Sequence, residues 1–252
     1  MKMKRILLII LIFSGLVQNM LAKEIIISKI QEASGITYSE KSNTLFVVAD
    51  EGSIYELTLE GKILRQKEIG KYDFEGVAVD DKKDILLVAI EGKDKILVLS
   101  KKNFKKKKEI SIKREFNGIK VLKKGDDGIE AIAILKDKIY LSNQSDKPYP
   151  KEDSSVIVVI DYDLKKKKQK IKEIINHGYK DIAGLTFYKN NLFMVSDDHS
   201  LLIEYDLKKQ KTKKEYKLTN YYAQEGITFD KKGNLYIADD GGNILKIKDF
   251  KK

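Results

Sequence analysis

Three glutamates share one local setting. Glu75 in Phe-Glu-Gly-Val-Ala-Val, Glu130 in Ile-Glu-Ala-Ile-Ala-Ile and Glu225 in Gln-Glu-Gly-Ile-Thr-Phe each precede a small residue that opens a short apolar run. Two further runs carry Ser34 and Ala183 at the same place, ahead of Gly35 and Gly184. If the five runs surround one axis, Ser34, Glu75, Glu130, Ala183 and Glu225 form a ring. Carboxylates crowded into a narrow, partly dry space repel one another, so they either take up protons or hold a cation. Glu75, Glu130 and Glu225 are therefore the candidate metal ligands. An all-oxygen donor set without Cys or His suits Ca2+, or Mg2+, better than Zn2+. The plainer alternative is that these glutamates face solvent at a channel mouth and hold only water.

A second set, Asp50, Glu91, Asn143, Asp197 and Asp239, closes the segment that follows each of those runs. All five are acids or amides. Asp and Asn favour turns through local hydrogen bonds, which is the first reading of this set. In the second reading, Asp50, Glu91 and Asn143 join Ser34 as ligand contacts, and Asp197 and Asp239 are candidate catalytic bases. His199, beside Asp197 and Asp198, is a third candidate base. His177 lies in an Asn-His-Gly turn. The G-x-S-x-G elbow, the phosphate-binding G-x-x-x-x-G-K-[ST] loop and the H-E-x-x-H zinc signature are all missing. With no cysteine in the chain, thiolate chemistry and disulfides are excluded.

The elements that would position these residues recur. The first copy runs Ala33 to Tyr38 then Thr44 to Asp50, and the last runs Gln224 to Phe229 then Asn234 to Asp239. The small residues fall at 35, 76, 131, 184 and 226, spaced 41, 55, 53 and 42 apart. That is close to the period of a four-stranded propeller blade. The two longer gaps hold Arg114 to Asp127 and the loop Gln144 to Ser154, which contains both prolines. Beyond the first residues no helical apolar stripe exists. The last copy ends after three strands, and an orphan strand, Lys23 to Ser28, precedes the first copy. The pattern predicts an all-β fold, a five-bladed β-propeller closed by pairing Ile25–Ile27 with Ile244–Ile247, in one domain over residues 23–252.

Residues 1–22 read as a leader. Lys2, Lys4 and Arg5 precede an apolar run from Ile6 to Val17, and Ala22 is the candidate cleavage position. An uncleaved anchor is the alternative. Either way the chain is expected to be exported, to the periplasm or cell envelope. The formal net charge is +11, or +8 with Lys2, Lys4 and Arg5 set aside. Much of it lies in three tracts, Lys101 to Lys108, Lys165 to Lys172 and Lys208 to Lys214, expected to be solvated hairpin tips. They carry one aromatic, Phe104, and no arginine, so nucleic acid is not an expected partner. Peripheral membrane association stays open.

The runs Ser-Gly-Ile-Thr-Tyr, Leu-Phe-Val-Val-Ala-Asp-Glu, Ile-Tyr-Glu-Leu-Thr-Leu-Glu-Gly and Phe-Glu-Gly-Val-Ala-Val-Asp resemble the SdiA-regulated (YjiK-like) family of bacterial proteins. The later Ile-Glu-Ala-Ile-Ala, Asp-Ile-Ala-Gly-Leu-Thr-Phe and Gln-Glu-Gly-Ile-Thr-Phe-Asp units fit it too, over roughly residues 23 to 250. The resemblance implies a five-bladed propeller in the bacterial envelope with a cation site in the channel, its acids falling on Glu75, Glu130 and Glu225. Ala131 departs from the glycine of the sister copies. Three functions remain open: a monomeric binding propeller holding Ca2+ and an unknown small molecule or envelope protein; a Ca2+-dependent hydrolase, lactonase-, esterase- or phytase-like; and a protein-interaction scaffold. Fold alone does not choose among them.

Overall fold

A computed structural model describes residues 24–122, 125, 128–219 and 222–251; the leader lies outside them. Among the described residues there is no helix, and five sheets of four or more strands form the blades. The innermost strands are Ala33–Ser39, Phe74–Asp80, Ile129–Leu135, Ile182–Tyr188 and Gln224–Phe229, opening blades one to five. From each, the chain runs outward through antiparallel neighbours. The ring closes as the orphan strand requires. Glu24–Lys29 forms the outer strand of blade five, pairing antiparallel with Asn243–Ile247, Ile26 opposite Leu245.

Packing follows from alternation along the strands. Five apolar clusters each bridge two neighbouring blades. The one joining blades five and one packs Tyr236, Ala238 and Ile244 against Ala33, Ile36 and Val47. Second strands such as Thr44–Ala49 and Ile85–Ile90 are buried along their whole length, because a sheet covered on both faces needs apolar residues at every position.

All five innermost strands carry a break in register at the same place. It falls between Ala33 and Gly35, Phe74 and Val77, Ile129 and Ile132, Ile182 and Gly184, and Gln224 and Gly226. An extra residue in one strand of an antiparallel pair bends that strand and re-aims its side chain. The bulged residues include Ser34, Glu75, Glu130, Ala183 and Glu225, the ring expected from the sequence. Adjacent inner strands come together here backbone to backbone. A Cβ added to Gly226 would stand 2.6 Å from the Ile36 nitrogen, and one added to Gly35 would stand 2.2 Å from the Glu75 carbonyl oxygen.

Antiparallel order sorts the connections by face. The turns after the first and third strands of each blade lie at one end of the channel. The turns after the second strand, and the crossings to the next blade, lie at the other end. The lysine tracts begin at the first face, and the one from Lys165 to Lys172 runs on towards the other end of blade two. Lys208 and Lys209 occupy a hairpin turn, as expected. Lys101 departs from the expected solvation: it is buried, ion-paired to Asp81 at 2.5 Å and bonded to Ser39 at 3.1 Å. Lys168–Gln169 forms a short parallel strand on the outer edge of blade two.

Replacing Gly226 by alanine should cost about 1–3 kcal/mol, because the added methyl meets backbone that cannot rotate away. The midpoint of urea unfolding checks it, and an unchanged midpoint would mean the waist is looser than described.

Candidate metal centre

The ring residues and the ends of the second strands meet at one channel mouth. Opposite-strand pairing explains why: Ala33 faces Ala49, Phe74 faces Ile90, Ile129 faces Asn143 and Gln224 faces Asp239. The residue after each first bulge position thus sits beside the start of the turn that follows the second strand. Just below, the waist is almost filled by Ile36, Val77, Ile132, Leu185 and Ile227 around the glycines, leaving about 10 Å³. The ring acids therefore have protein on one side and a narrow opening on the other. Beyond the waist the opposite mouth widens into a funnel of about 800 Å³, with apolar walls that include Val79, Ile134 and Phe187.

Glu75 and Glu130 are buried side chains and Glu225 is partly so. Burial, then the nearby Glu130, drives the Glu75 carboxyl far above its ordinary range. Burial, then Glu91 and Glu225, does the same to Glu130. Glu130 shares a hydrogen bond with Glu91, whose own carboxyl is raised by burial and by Asp73. Glu225 is pushed up to about 8 by burial and then by Asp197 and Asp181, and Asp50 to about 6, chiefly by burial. Burial and mutual repulsion thus favour the protonated forms of Glu75, Glu130 and Glu225.

Among the described residues, one trio has carboxylate oxygens all within 4.8 Å of one another: Asp50, Asp73 and Glu75. Oxygens that close can all reach one cation, since two Ca–O bonds of about 2.4 Å span that much. One oxygen of Asp50 and one of Glu130 are buried without a hydrogen-bond partner. Buried polar atoms are normally satisfied, so both atoms mark room for an oxygen-seeking guest. An all-carboxylate donor set of this kind suits a hard cation. Of the three glutamates singled out in the sequence, the structure puts Glu75 in the trio; Glu130 and Glu225 stand further round the ring.

The remaining candidates are placed as follows. Ser34 Oγ donates to the Phe74 carbonyl oxygen, tying blade one to blade two. Asn143 donates from Nδ2 to the carbonyl oxygens of Ser154 at 2.8 Å and Val121 at 3.1 Å. Asp239 accepts from Ala223 N, Gly241 N and Asn243 Nδ2. Asp197 accepts from Gln224 N at 2.8 Å and is raised, chiefly by burial. His199 is exposed on the rim. His177 is buried, accepts from Tyr179 N at Nδ1, and is pushed down to about 4 by burial.

Sequence reasoning missed Asp73, Asp181, Glu32 and Asp240. The signal was available: Glu32, Asp73 and Asp181 each stand two residues ahead of a ring position, so blades one and four, with Ser34 and Ala183 in the ring, bring an acid from one step earlier. Asp240 follows Asp239 and, like Glu32 and Asp50, lines a recess at this mouth.

The profile of the SdiA-regulated family matches residues 17–244. This chain belongs to the SdiA-regulated family. No curated protein matches its sequence. Among solved structures, the glutaminyl cyclase of Myxococcus xanthus superposes with a TM-score of 0.67 at 12% identity, over 89% of this chain and 93% of that one. The hydrazine synthase of Kuenenia stuttgartiensis gives 0.51 at 14% identity, covering 83% of this chain and 56% of that one. At such identities the likeness is one of fold, and it agrees with the propeller of this SdiA-regulated protein.

The raised acids set a pH dependence. Glu225 and Asp50 keep protons in the fold that they release on unfolding at the same pH, so stability falls as pH rises. The window runs from the ordinary values of 3.8 and 4.5 up to about 6 for Asp50 and about 8 for Glu225. Metal-free protein should lose melting temperature steadily from acid to mildly basic pH, and Glu225→Gln should flatten the part between about 6 and 8. Calorimetry across pH in chelator checks this; a melting temperature that rises through that window contradicts it.

Proposed function

We propose that this SdiA-regulated propeller is an exported envelope protein that binds a divalent cation, Ca2+ first, at its acidic channel mouth and uses it to position an anionic ligand or partner. The observation that carries the reading is the trio Asp50, Asp73 and Glu75, with carboxylate oxygens within 4.8 Å of one another, together with a buried, unpartnered oxygen on the ring residue Glu130. Protons and a cation compete for the same crowded acids, and a doubly charged ion relieves more repulsion than a proton on any one of them. The mouth stays open on its solvent side, so an ion there keeps coordination positions for an outside oxygen. Export rests on the basic-then-apolar leader and the small residue at Ala22.

Binding is favoured over hydrolysis by the employment of the candidate bases. Asp197 and Asp239 hold backbone N–H groups in place, and a base must be free to take a proton from its substrate. His199 lies exposed, away from the trio's buried side.

Added Ca2+ should raise the melting temperature of chelator-stripped protein, by the equivalent of about 2.7 kcal/mol at a hundred times the dissociation constant. Mg2+ should do less. Glu75→Gln and Asp50→Asn should each abolish the shift, and binding should release protons measurable in weakly buffered solution. A melting temperature indifferent to every divalent ion sinks the proposal.

A further inference from the structure

The face opposite the acidic mouth has a different chemistry. Every first turn there carries lysine: Lys41, Lys82 with Lys83, Lys136, Lys189, and Lys231 with Lys232. Lysine tracts add charge at the third turns of blades two, three and four, although Lys168 of the blade-three tract reaches Ser111 towards the other end of blade two. Many of the carboxylates on this face are already engaged. Asp81 takes Lys101 and Ser39, Asp80 takes Tyr162 and the N–H groups of Lys82 and Lys83, and Asp230 takes Asn234 and Tyr236. Lys136 and Lys189 are exposed and, among the described residues, make no ion pair. The first turns also carry Glu40, Asp80, Asp81, Asp84, Asp137 and Asp230, so the net positive charge of this side comes mainly from the third turns.

A second, independent feature sits at the edge of that side. The large apolar residues exposed among the described ones are Ile25 at 38%, Ile26 at 48%, Ile63 at 40% and Leu64 at 49%. All four lie at the lysine-face end of an outer strand, two on blade five and two on blade one. The turn that leads into the blade-one strand meets the blade-five strand: a Cβ at Gly61 would stand 1.8 Å from the Ile27 carbonyl oxygen. The four exposed apolar residues thus lie on either side of that turn, at one corner of the molecule. Scattered apolar side chains on a surface need no explanation, but a patch confined to one corner does.

The third feature is connectivity. Glu24 is opposite Ile247, so the described chain begins at the lysine face, beside Ile25 and Ile26. The apolar run Ile6 to Val17 precedes it in the sequence.

We infer that the lysine face, led by the Ile25–Ile26–Ile63–Leu64 corner, docks on an anionic lipid bilayer. The acidic mouth then points away from the membrane, towards solution. Lysines near an anionic surface are attracted over roughly a Debye length, and apolar side chains at the same edge enter the headgroup boundary. A soluble polyanion would use the charge but has no use for the apolar corner.

The test takes the chain from Lys23, which contains every strand of the closed ring, and sediments it with vesicles in the presence of chelator. Chelator keeps the outcome independent of the cation reading. The protein should pellet with phosphatidylglycerol-containing vesicles and not with pure phosphatidylcholine, and added salt should release it. Lys136→Gln with Lys189→Gln should lower the partition coefficient about thirtyfold, at about 1 kcal/mol per lysine. Ile26→Ser with Leu64→Ser should lower it about tenfold or more. Loss of the same charge at Lys71 and Lys147, on the acidic side, should leave it unchanged. All variants should keep the parent's melting temperature within a few degrees, which separates lost docking from lost folding. Failure to pellet with anionic vesicles overturns the inference. So does an equal effect of the Lys71 and Lys147 changes. Silence of the apolar pair, with full release by polyphosphate, would reassign the face to a soluble polyanion.

Discussion

The structure depends on the closeness of five inner strands at the waist. A ring of five blades is tight, and its strands meet there with backbone against backbone. Gly35, Gly76, Gly184 and Gly226 leave no room for a Cβ, which would fall between 2.2 and 2.6 Å from the neighbouring strand. The bulge at the same position has the same origin, because a strand that bends towards the axis must add a residue on one side of its ladder. Once the bend and the small residue are in place, the side chain just ahead projects to the mouth. Glu75, Glu130 and Glu225 are acidic where the geometry would accept Ser34 or Ala183 equally well. Their charge is therefore not a demand of the fold.

That charge has a cost. Taking carboxylates out of water and setting them side by side raises the free energy of their ionised forms, and the protein carries no lysine or arginine paired with Glu75, Glu130 or Glu225 among its described ion pairs. A chain with a net charge of +11 has cations to spare. It does pair buried acids elsewhere: Glu204 with Lys213 and Lys251, and Glu56 with Arg65. Leaving the mouth unpaired is thus a local choice. A buried structural acid is normally matched by a fixed partner, and one left unmatched in a cleft is a functional-site candidate.

Much of this was legible in the sequence. Blade number, the closing strand and the ring of five positions all follow from a repeat whose strands alternate and whose turn residues fall at regular places. Those features are local, and short-range pattern records them. The acidic trio was less legible. Asp73 lies two residues ahead of Glu75 and Asp50 comes from the preceding blade, so their meeting depends on how far one blade is rotated from the next. No pattern along the chain encodes a distance across the ring. The same limit explains Glu130 and Glu225: ring membership was readable, but whether three ring positions or one position and its neighbours approach to within an ion's diameter was not. Lys101 failed for a related reason. Its tract is solvated by composition, yet Asp81 and Ser39 from two other turns reach it.

Net charge alone would have concealed the most consequential feature of the surface. In a propeller, successive turns alternate between the two faces, so a residue type favoured in every other turn accumulates on one side. Lysine occurs in all five first turns, while Asp50, Glu91, Asp197 and Asp240 fall in the turns of the opposite face. The average is a moderately basic protein; the arrangement is a dipole along the channel axis. Such a dipole turns the molecule before any contact forms, because fields of several kT reach about a Debye length from the surface. The acidic mouth would repel an anionic surface that the lysine side attracts. Lysines placed among the ring acids would pair with them, and the described ion pairs show none there. The polarity of the faces and the vacancy of charge at the mouth are in this sense one design, and both are written in which turns carry which residues.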